Sequence, residues 1–455
     1  MKINKYKILM MSSALVACLS DMHAEEVKSE TSMSPAVTGA GGSAPALKIA
    51  GFTNVIGVST VQKNKENGRG GAPVAIAVPK SDLSFNVNGK TPTGYGYGYV
   101  VNFESISAAS PSLTRNYVVF THNYLGSVQI GNVKGVDDSM SQSAYTIMGG
   151  LGGISGSAPD YFNFSEGVVK GTTMTGSPDI ATKVNWVSPS LGGLQVGVSY
   201  TPNTSHLGKL GRNNLSAQTN NGYGHEITIY PDNLEAPFGL NNFVYSVSYE
   251  RLWKDIKVNL NALLLTERAR VVFPLGYDSV GAPLPADSRV FKTQHSNAYQ
   301  LSALVTYKDV EVAAGFLNNQ KSRLMTKELI QGYKRNKDAR GSYNPEGADL
   351  GNSGKAWNMG TRYTFGAYQA AVGYFQSDRK TDATNTATMK AVTTTLDFKA
   401  VEGLVFFGEI NFIKTKTNQK FIDSAQRYYN LDLKAQSTIG NNSGAVLILG
   451  TKVSF

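Results

Sequence analysis

The chain has 455 residues, a formal net charge of +10 and only 17% charged residues. Beyond the N-terminus there is no run of 18 or more apolar residues, so transmembrane helices are excluded there. The basic residues are dispersed along the sequence rather than clustered, which argues against a nucleic-acid-binding protein.

The N-terminus has the pattern of an export signal. Three lysines precede an apolar segment at residues 8–19 that is too short to cross a bilayer as a helix. Cleavage after Ala24 would remove this segment, so we predict a signal peptide over residues 1–24. An alternative is lipidation at Cys18, the only cysteine of the chain, which ends a lipoprotein-like stretch.

A small, polar segment follows, and we predict that residues 25–46 form a flexible periplasmic lead-in. From residue 47 to residue 455 the sequence predicts a single domain of β-strands. Segments in which apolar and polar side chains alternate with a period of two are separated there by turn signals.

The stretch GYGYGYVVNF shows the alternation most plainly. Its rings and its glycines fall on opposite faces: Tyr95, Tyr97 and Tyr99 against Gly94, Gly96 and Gly98. Further strands with one apolar face are predicted at residues 194–200, 243–250, 256–264, 299–308 and 357–365. Ionisable residues fall on the second face of such strands, as Glu250, Lys257, Lys308, Arg362 and Asp397 do.

Alternation alone also fits a soluble β-sandwich that turns its apolar faces inward. Three features favour a membrane barrel. The strands are roughly 9–12 residues long, whereas strands in globular proteins average about 5–6 and a tilted membrane strand needs about 9–11. Aromatic rings also bracket the apolar faces, as Tyr299 and Tyr307 do in one strand and Trp357 and Phe365 in another, and membrane barrels carry such rings at both interfaces.

The third feature is that short and long connections between strands alternate along the chain. Short turns are predicted near residues 89–93, 125–126, 189–192, 252–255, 308–309, 366–367 and 400–403. Long connections are predicted near 61–79, 107–114, 133–180, 202–241, 268–297, 319–354, 379–387 and 418–441. Together they join sixteen antiparallel strands, with short periplasmic turns and long external loops. Eighteen strands are the alternative, because residues 223–230 could form an extra strand.

Several stretches resemble the general, trimeric porins of Gram-negative outer membranes. RNYVVFTHNYLGSVQIGNVKGVDD (115–138) resembles the strand pair that leads into the constriction loop of that family. TKVNWVSPSLGGLQVGVSYTP (182–202) is similar to a strand, Ser-Pro turn and strand of the family, with Trp186 where Tyr is usual. GTRYTFGAYQAAVGY (360–374) resembles a later hairpin, and GTKVSF fits the terminal assembly signal.

The resemblance spans residues 47–455 and implies a transmembrane antiparallel β-barrel in the bacterial outer membrane. It implies a homotrimer in contact with outer-membrane lipid and lipopolysaccharide. The barrel-assembly machinery would read the terminal signal at Gly450, Val453 and Phe455. The long connection at residues 133–180 would fold into the lumen as a constriction loop. That segment has no Pro-Glu-Phe-Gly-Gly-like stretch, so the resemblance does not extend to the geometry of the loop tip.

In such channels acidic residues on the loop face basic residues on the wall. The loop candidates are Asp137, Asp138, Asp160 and Glu166, and the wall candidates are Arg115, Lys183 and Arg362. A backbone can approach a strand closely where Cβ atoms are missing. We therefore expect Gly94, Gly96 and Gly98 to form the wall against which the loop packs.

The predicted function is a water-filled channel for passive diffusion of small hydrophilic solutes and ions. We expect no enzyme, no cofactor, no metal site and no nucleic-acid partner. His295 and Ser296 are neighbours that point to opposite faces of a strand, and no cluster has metal-ligand spacing. The alternatives are a surface adhesin or receptor that binds through its long external loops, and a solute-selective channel.

Overall fold

In the computed structural model the described residues are 43–63, 74–105, 112–156, 158–165, 168–171, 174, 177–178, 180–204, 238–274, 288–292, 294–320, 322, 354–380, 386–418 and 440–455. The predicted signal peptide lies outside them, as does the predicted lead-in up to residue 42. So does the possible extra strand at residues 223–230.

One antiparallel sheet of eighteen strands closes on itself to form a barrel. Neighbouring strands follow one another in the chain, and the first strand pairs with the last. A closed sheet leaves no unpaired strand edge, as the interior of a bilayer requires. The strands are β1 (Ser43–Gln62), β2 (Ala75–Ala77), β3 (Ser81–Lys90), β4 (Gly96–Ser105), β5 (Ser112–His122), β6 (Gly126–Lys134), β7 (Ile180–Val187), β8 (Leu194–Asn203), β9 (Phe238–Trp253), β10 (Ile256–Pro274), β11 (Ser288–Lys292), β12 (Ser296–Tyr307), β13 (Val310–Asn318), β14 (Lys355–Phe365), β15 (Tyr368–Lys380), β16 (Thr386–Val401), β17 (Leu404–Thr417) and β18 (Asn442–Ser454).

Two of these strands are short pieces that lengthen the ladder of a neighbour. β2 pairs with β1 beyond the end of the β1–β3 ladder, and β11 pairs with β10 beyond the end of the β10–β12 ladder. In the described residues sixteen long strands therefore build the wall, which confirms the predicted count.

Strand pairing explains two of the boundaries that differ from the prediction. β1 begins at Ser43, inside the predicted lead-in, because this end of β1 pairs with β3 up to Lys90. β10 continues to Pro274, inside the connection predicted at residues 268–297, because β11 supplies it with a further partner strand. In both places hydrogen-bond pairing extends the strand beyond the clear alternation.

The predicted apolar faces point out of the barrel. Leu301 is 50% exposed and Met359 52%, whereas Ala298 and Ala356 on the inner face of the same strands are fully buried. Tyr95, Tyr97 and Tyr99 lie on the outer face, as predicted. A continuous outer surface of this kind suits contact with lipid.

The connections have different lengths at the two ends of the barrel. At one end tight turns join the strands, and Gly126 and Gly193 adopt φ of +83° and +92° there, a region that glycine enters without steric strain. A Cβ at Gly193 would collide with the carbonyl oxygen of Glu250. Long connections mark the opposite end, which is the extracellular end of outer-membrane barrels.

The connection between β6 and β7, residues 135–179 and hereafter the inner loop, lies inside the barrel. It contains one short helix, α1 (Val136–Ser139), and 3₁₀ turns at Ala144–Ile147, Gly153–Ser155 and Ala158–Tyr161. Its apolar side chains share the main buried cluster with inward-facing residues of the strands. Within the described part of the chain, no helix has the length and apolar character needed to cross a membrane.

Candidate functional site

The inner loop is held against the wall because its apolar side chains are buried there. Ile147, Ile154 and Phe162 are almost fully inaccessible to solvent. Phe375, on the inner face of β15, packs beneath the loop and approaches the ring of Tyr145, with centroids 6.1 Å apart. Burial of a large apolar side chain stabilises a structure by roughly 1.5–3 kcal/mol, so this contact is a main source of loop docking.

The first part of the loop is fixed by hydrogen bonds from its backbone to side chains of the wall. The N–H of Val136 donates to Ser199 Oγ over 2.8 Å. The N–H of Ala144 donates to Asn358 Oδ1 over 2.8 Å. Short helical segments leave several N–H groups without an internal acceptor, and the wall supplies acceptors for these two.

Two carboxylates of the wall bind the middle of the loop. Gly150 donates its N–H to Asp397 Oδ1, and Leu151 donates to Glu409 Oε2, each over 2.8 Å. Glu409 is fully buried and also accepts from Asn411 Nδ2 over 2.6 Å. Both carboxyl groups accept main-chain N–H groups of the loop, so they fix its middle part against β16 and β17.

The far part of the loop is attached where the barrel closes. Asn163 donates its N–H to Gln62 Oε1 of β1 over 2.9 Å. Asn442 of β18 donates its Nδ2 to the same Gln62 oxygen over 2.9 Å and to the carbonyl of Asn163 over 2.6 Å. The loop is thereby tied to the first and the last strand together.

Glycines on the inner face let the loop lie close to the wall. A Cβ at Gly360 would be 3.1 Å from Ala144 Cβ and 3.1 Å from Met148 Cε, and a Cβ at Gly373 would also be 3.1 Å from Met148 Cε. These contacts are tighter than side chains normally make, so larger residues there would push the loop inward.

The prediction that Gly94, Gly96 and Gly98 form this wall is wrong. A Cβ at Gly98 would be 2.6 Å from Asn88 Oδ1, and one at Gly96 would collide with Thr121. Both obstacles belong to the neighbouring strands β3 and β5, while Gly94 lies in the preceding turn with φ of +89°. Side chains across the ladder fill the space beside Gly96 and Gly98, and no atom lies within 4 Å of a Cβ placed at Gly94.

The two ends of the loop meet at its base. Asp137 is half-buried and accepts a hydrogen bond from Ser177 Oγ. Lys183 of β7 is only 3% exposed and donates its Nζ to the carbonyl of Pro178 over 3.0 Å. Burial raises the pKa of the Asp137 carboxyl, and the bond from Ser177 and the charge of Lys183 offset part of that rise.

A cavity of about 810 Å³ opens above the loop. It is lined by both arms of the loop, by Lys134 of β6, by Gln300 of β12 and by Asn319, which follows β13. Lys134 and Asp138 form an ion pair over 3.0 Å at its border. The lining combines polar residues such as Ser141 and Thr146 with apolar residues such as Ile154 and Met174.

Residues 31–418 match the Gram-negative porin family. The chain belongs to this family. Its fold is that of an outer-membrane channel.

Solved structures of similar fold include three outer-membrane proteins. OmpF of Salmonella typhi, in complex with daunomycin, has a TM-score of 0.54 at 14% identity over 90% of this chain and 97% of that chain. In-vitro folded OmpT of Vibrio cholerae in its trimer form has a TM-score of 0.51 at 9% identity, over 91% and 100%. An anion-selective porin from Comamonas acidovorans has a TM-score of 0.50 at 12% identity, over 90% and 100%.

The curated relatives are two uncharacterized rickettsial proteins. The one from Rickettsia prowazekii is 23% identical over 292 residues, which is 60% of this porin and 57% of that protein. The one from Rickettsia typhi is 24% identical over 294 residues, with the same two shares. This porin thus matches little more than half the length of these relatives.

The candidate charges of this porin are not gathered in one place. Asp138 pairs with Lys134, and Asp160 is exposed on the loop, while Glu166 lies outside the described residues. Arg362, on the inner face of β14, forms an ion pair with Glu311 of β13. Arg115 is half-buried on β5, and its Nε makes no hydrogen bond within the described residues.

The proposed assembly signal lies at the closing strand. A Cβ at Gly450 would be 2.5 Å from the ring of Phe407 and 2.7 Å from Ile56, so glycine makes room for both side chains. The backbones of Phe455 and Gly51 exchange two hydrogen bonds of 3.0 Å. Val453 is 45% exposed on the outer face.

The attachment residues of this porin were not singled out from the sequence. Glu409, Gln62 and Asn442 are buried polar groups on inner faces. In the sequence, such a residue is visible only as a polar or acidic side chain on the inner face of a strand. A water-filled lumen requires polar side chains there as well, so the sequence does not distinguish an attachment residue from an ordinary lumen residue. Within the described residues, no group of three or more His, Cys, Asp or Glu is placed to hold a metal ion.

Proposed function

We propose that this porin is a water-filled channel for passive diffusion of small hydrophilic solutes and ions, without enzymatic activity. The observation that carries the proposal is the inner loop. Hydrogen bonds to β1, β8, β14, β16, β17 and β18 hold its backbone inside a barrel whose inner face bears many polar side chains. A fixed segment that narrows a polar lumen acts as a size filter and needs no moving part.

The charged side chains that solutes would meet in the lumen are those that remain accessible to solvent on the loop and on the wall. Asp138 and Asp160 on the loop, and Arg115 and Arg362 on the wall, are the constriction residues in this proposal. Glu166 is a further loop candidate. Asp137 and Lys183 lie at the base of the loop, and their proposed role is to hold it in place, because both side chains are hydrogen-bonded to the far end of the loop.

The proposal includes the partners and the route to the membrane. The chain is exported by a cleaved signal peptide over residues 1–24 and inserted by the barrel-assembly machinery, which reads Gly450, Val453 and Phe455. In the outer membrane it is a homotrimer in contact with lipid and lipopolysaccharide. The trimer form of the similar Vibrio cholerae protein supports that state.

Planar-bilayer recording tests the proposal. Purified protein should give stepwise, ohmic openings, and deletion of residues 145–170 should raise the single-channel conductance, because those residues occupy part of the lumen. Absence of openings would refute the channel and favour an adhesin or receptor that binds through its long external loops. An unchanged conductance after the deletion would show that the loop does not narrow the passage.

A further inference from the structure

The cavity of about 810 Å³ is formed mainly by the inner loop itself. Its lining comes from two arms of the loop, residues 135–146 and residues 154–177, hereafter the first arm and the second arm. Lys134 at the end of β6, Gln300 of β12 and Asn319 complete the lining. Ligand pockets in proteins have volumes of about 300–1,000 Å³, so this space, hereafter the arm cavity, has the size of a binding site.

The first arm carries an accessible negative charge at the arm cavity. The side chain of Asp138 is 51% exposed, and its carboxylate lies 3.0 Å from the ammonium group of Lys134, which is 30% exposed. Accessible ion pairs of this kind are weak because water competes for both charges. A cationic group of a ligand can therefore take the place of Lys134 beside the Asp138 carboxylate.

The second arm carries a positive charge at the same cavity. Lys170 lines the arm cavity and is exposed, and its Nζ lies 4.9 Å from the centre of the Phe164 ring. The face of the ring attracts the ammonium group and keeps it on the second arm. The cavity thus has a carboxylate on one arm and an ammonium group on the other. A solute with one charge of each sign matches this arrangement, whereas a simple ion uses only half of it.

Part of the lining of the arm cavity is apolar. Ile154, Val168 and Met174 line the cavity and belong to the main buried cluster. An apolar group of a solute that covers them is removed from water, which is favourable in proportion to the area buried. The lining also includes the hydroxyl of Ser141, which accepts a hydrogen bond of 2.6 Å from Gln300 Nε2. Since a hydroxyl can accept and donate together, its proton can be donated to a carbonyl oxygen of the solute.

We propose that the arm cavity binds short peptides that have free termini and apolar side chains. The ammonium group of such a peptide lies against Asp138, its carboxylate lies against Lys170, and its side chains contact Ile154 and Val168. Sugars lack the two charges, and inorganic ions lack the apolar groups. The inference rests on the proposed channel, because the cavity is reached through the lumen. It adds a preferred class of solute to a passage that would otherwise select by size.

Block of the ionic current by peptides tests the site in planar bilayers that contain the full-length protein. The probe is leucyl-leucine at about pH 7, where an α-amino group with a pKa of about 7.7–8.0 is protonated. Glycylglycine has both charges but no apolar side chain, and N-acetyl-leucyl-leucine amide has the side chains but no charge. Leucyl-leucine should halve the current at a concentration roughly tenfold lower than either of these peptides. Equal half-blocking concentrations of the three peptides would overturn the proposal.

Two charge variants locate the site. Asp138→Asn and Lys170→Gln should each raise the half-blocking concentration of leucyl-leucine several-fold and leave that of the uncharged peptide unchanged. The matched controls are Glu250→Gln and Lys257→Gln, which remove the same charges from an exposed ion pair beside the turn between β9 and β10. Both controls should be blocked like the wild type. An equal loss of block in the controls would show that net charge causes the effect, and the site would be refuted.

Val168→Ser tests the apolar contact. This variant should be blocked several-fold more weakly by leucyl-leucine but equally by glycylglycine, which has no side chain to place there. A loss of block by both peptides to the same extent would refute the apolar contact.

A change of pH tests the contact between the ammonium group and Asp138. Raising the pH to about 9.5 removes the proton from most α-amino groups, whose pKa is about 7.7–8.0. The block by leucyl-leucine should then weaken in the wild type but not in Asp138→Asn, and an unchanged block in the wild type would contradict the contact. Absence of any openings in the wild type would instead refute the channel, whereas openings with equal block by all three peptides would refute only the peptide site.

Discussion

The N–H of Leu151 donates to Glu409 Oε2 over 2.8 Å, so the middle of the inner loop is bonded to a carboxylate of the next-to-last strand. The preceding N–H, that of Gly150, donates to Asp397 over the same distance. Two adjacent amides and two wall carboxylates thus set how far the loop extends into the lumen.

Replacing Glu409 should loosen the loop. Glu409→Ala removes the acceptor of Leu151 and leaves a buried N–H unpaired, which costs about 1–3 kcal/mol. We expect a higher mean conductance and more open-channel noise in single-channel records. Glu250→Ala is the control, because that exposed carboxylate pairs with Lys257 near a turn and not with the loop. Records identical to the wild type would show that Glu409 does not position the loop.

A side chain at Gly360 should lift the loop from the wall. Gly360→Val brings methyl groups against Ala144 and Met148, and overpacking of this kind costs about 1–3 kcal/mol. A cysteine placed at the buried position 144 (Ala144→Cys) should then react faster with a small methanethiosulfonate reagent. Gly57→Val, on the open outer face, should leave that rate unchanged. Equal rates in all three backgrounds would contradict the close packing of loop and wall.

Asn442 should stabilise the closure of the barrel. Asn442→Ala removes the bonds to Gln62 and Asn163 in a buried site, and we expect a loss of about 1–3 kcal/mol in the free energy of unfolding. The check is the temperature at which the folded band disappears in heat-modifiability gels. Ser443→Ala, one residue further along, should have little effect. A transition temperature equal to that of the wild type would refute the role of Asn442.

Asp137 should make stability depend on pH. Its folded pKa lies above the usual value of 3.8, so between those two pKa values the folded state binds more protons than the unfolded state. This contribution to stability is full below about pH 4 and is lost as the pH rises through the folded pKa. Denaturant titrations in micelles at pH values above 4 should show a steeper loss of stability in the wild type than in Asp137→Asn. If the stability of the wild type and that of Asp137→Asn changed in parallel with pH, the pKa of Asp137 would not be raised in the folded state.

Arg362 should influence ion selectivity. Arg362→Gln leaves Glu311 without its ion pair and makes the lumen more negative. A charge about 7 Å from a passing ion in water contributes about 0.6 kcal/mol, so cation preference should rise roughly threefold. Reversal potentials in a salt gradient measure this. Lys355→Gln removes one positive charge on the outside of the barrel and should not shift the reversal potential. If Lys355→Gln shifted the potential as much as Arg362→Gln does, the net charge of the protein, and not the position of Arg362, would determine the selectivity.

The alternation of side chains predicted the wall once it was combined with the strand lengths, the rings at both ends of the strands and the alternation of short and long connections. Leu301 and Met359 face outward because an apolar residue at every second position leaves no other arrangement in a membrane. The position of the inner loop was not predictable in this way. Glu409 is 258 residues from Leu151, and nothing in either local sequence links them. The glycine wall failed for the same reason: Gly96 and Gly98 resemble Gly360 in sequence, and only the register shows which of them the loop covers.

The bond from Asn163 to Gln62 and the two bonds from Asn442 make one segment hold both terminal strands of the sheet. Before β1 and β18 pair with each other, Gln62 and Asn442 are not adjacent. The attachment of the far part of the inner loop is therefore complete only once the cylinder has closed. Closure of the sheet and placement of this part of the loop depend on the same three hydrogen bonds.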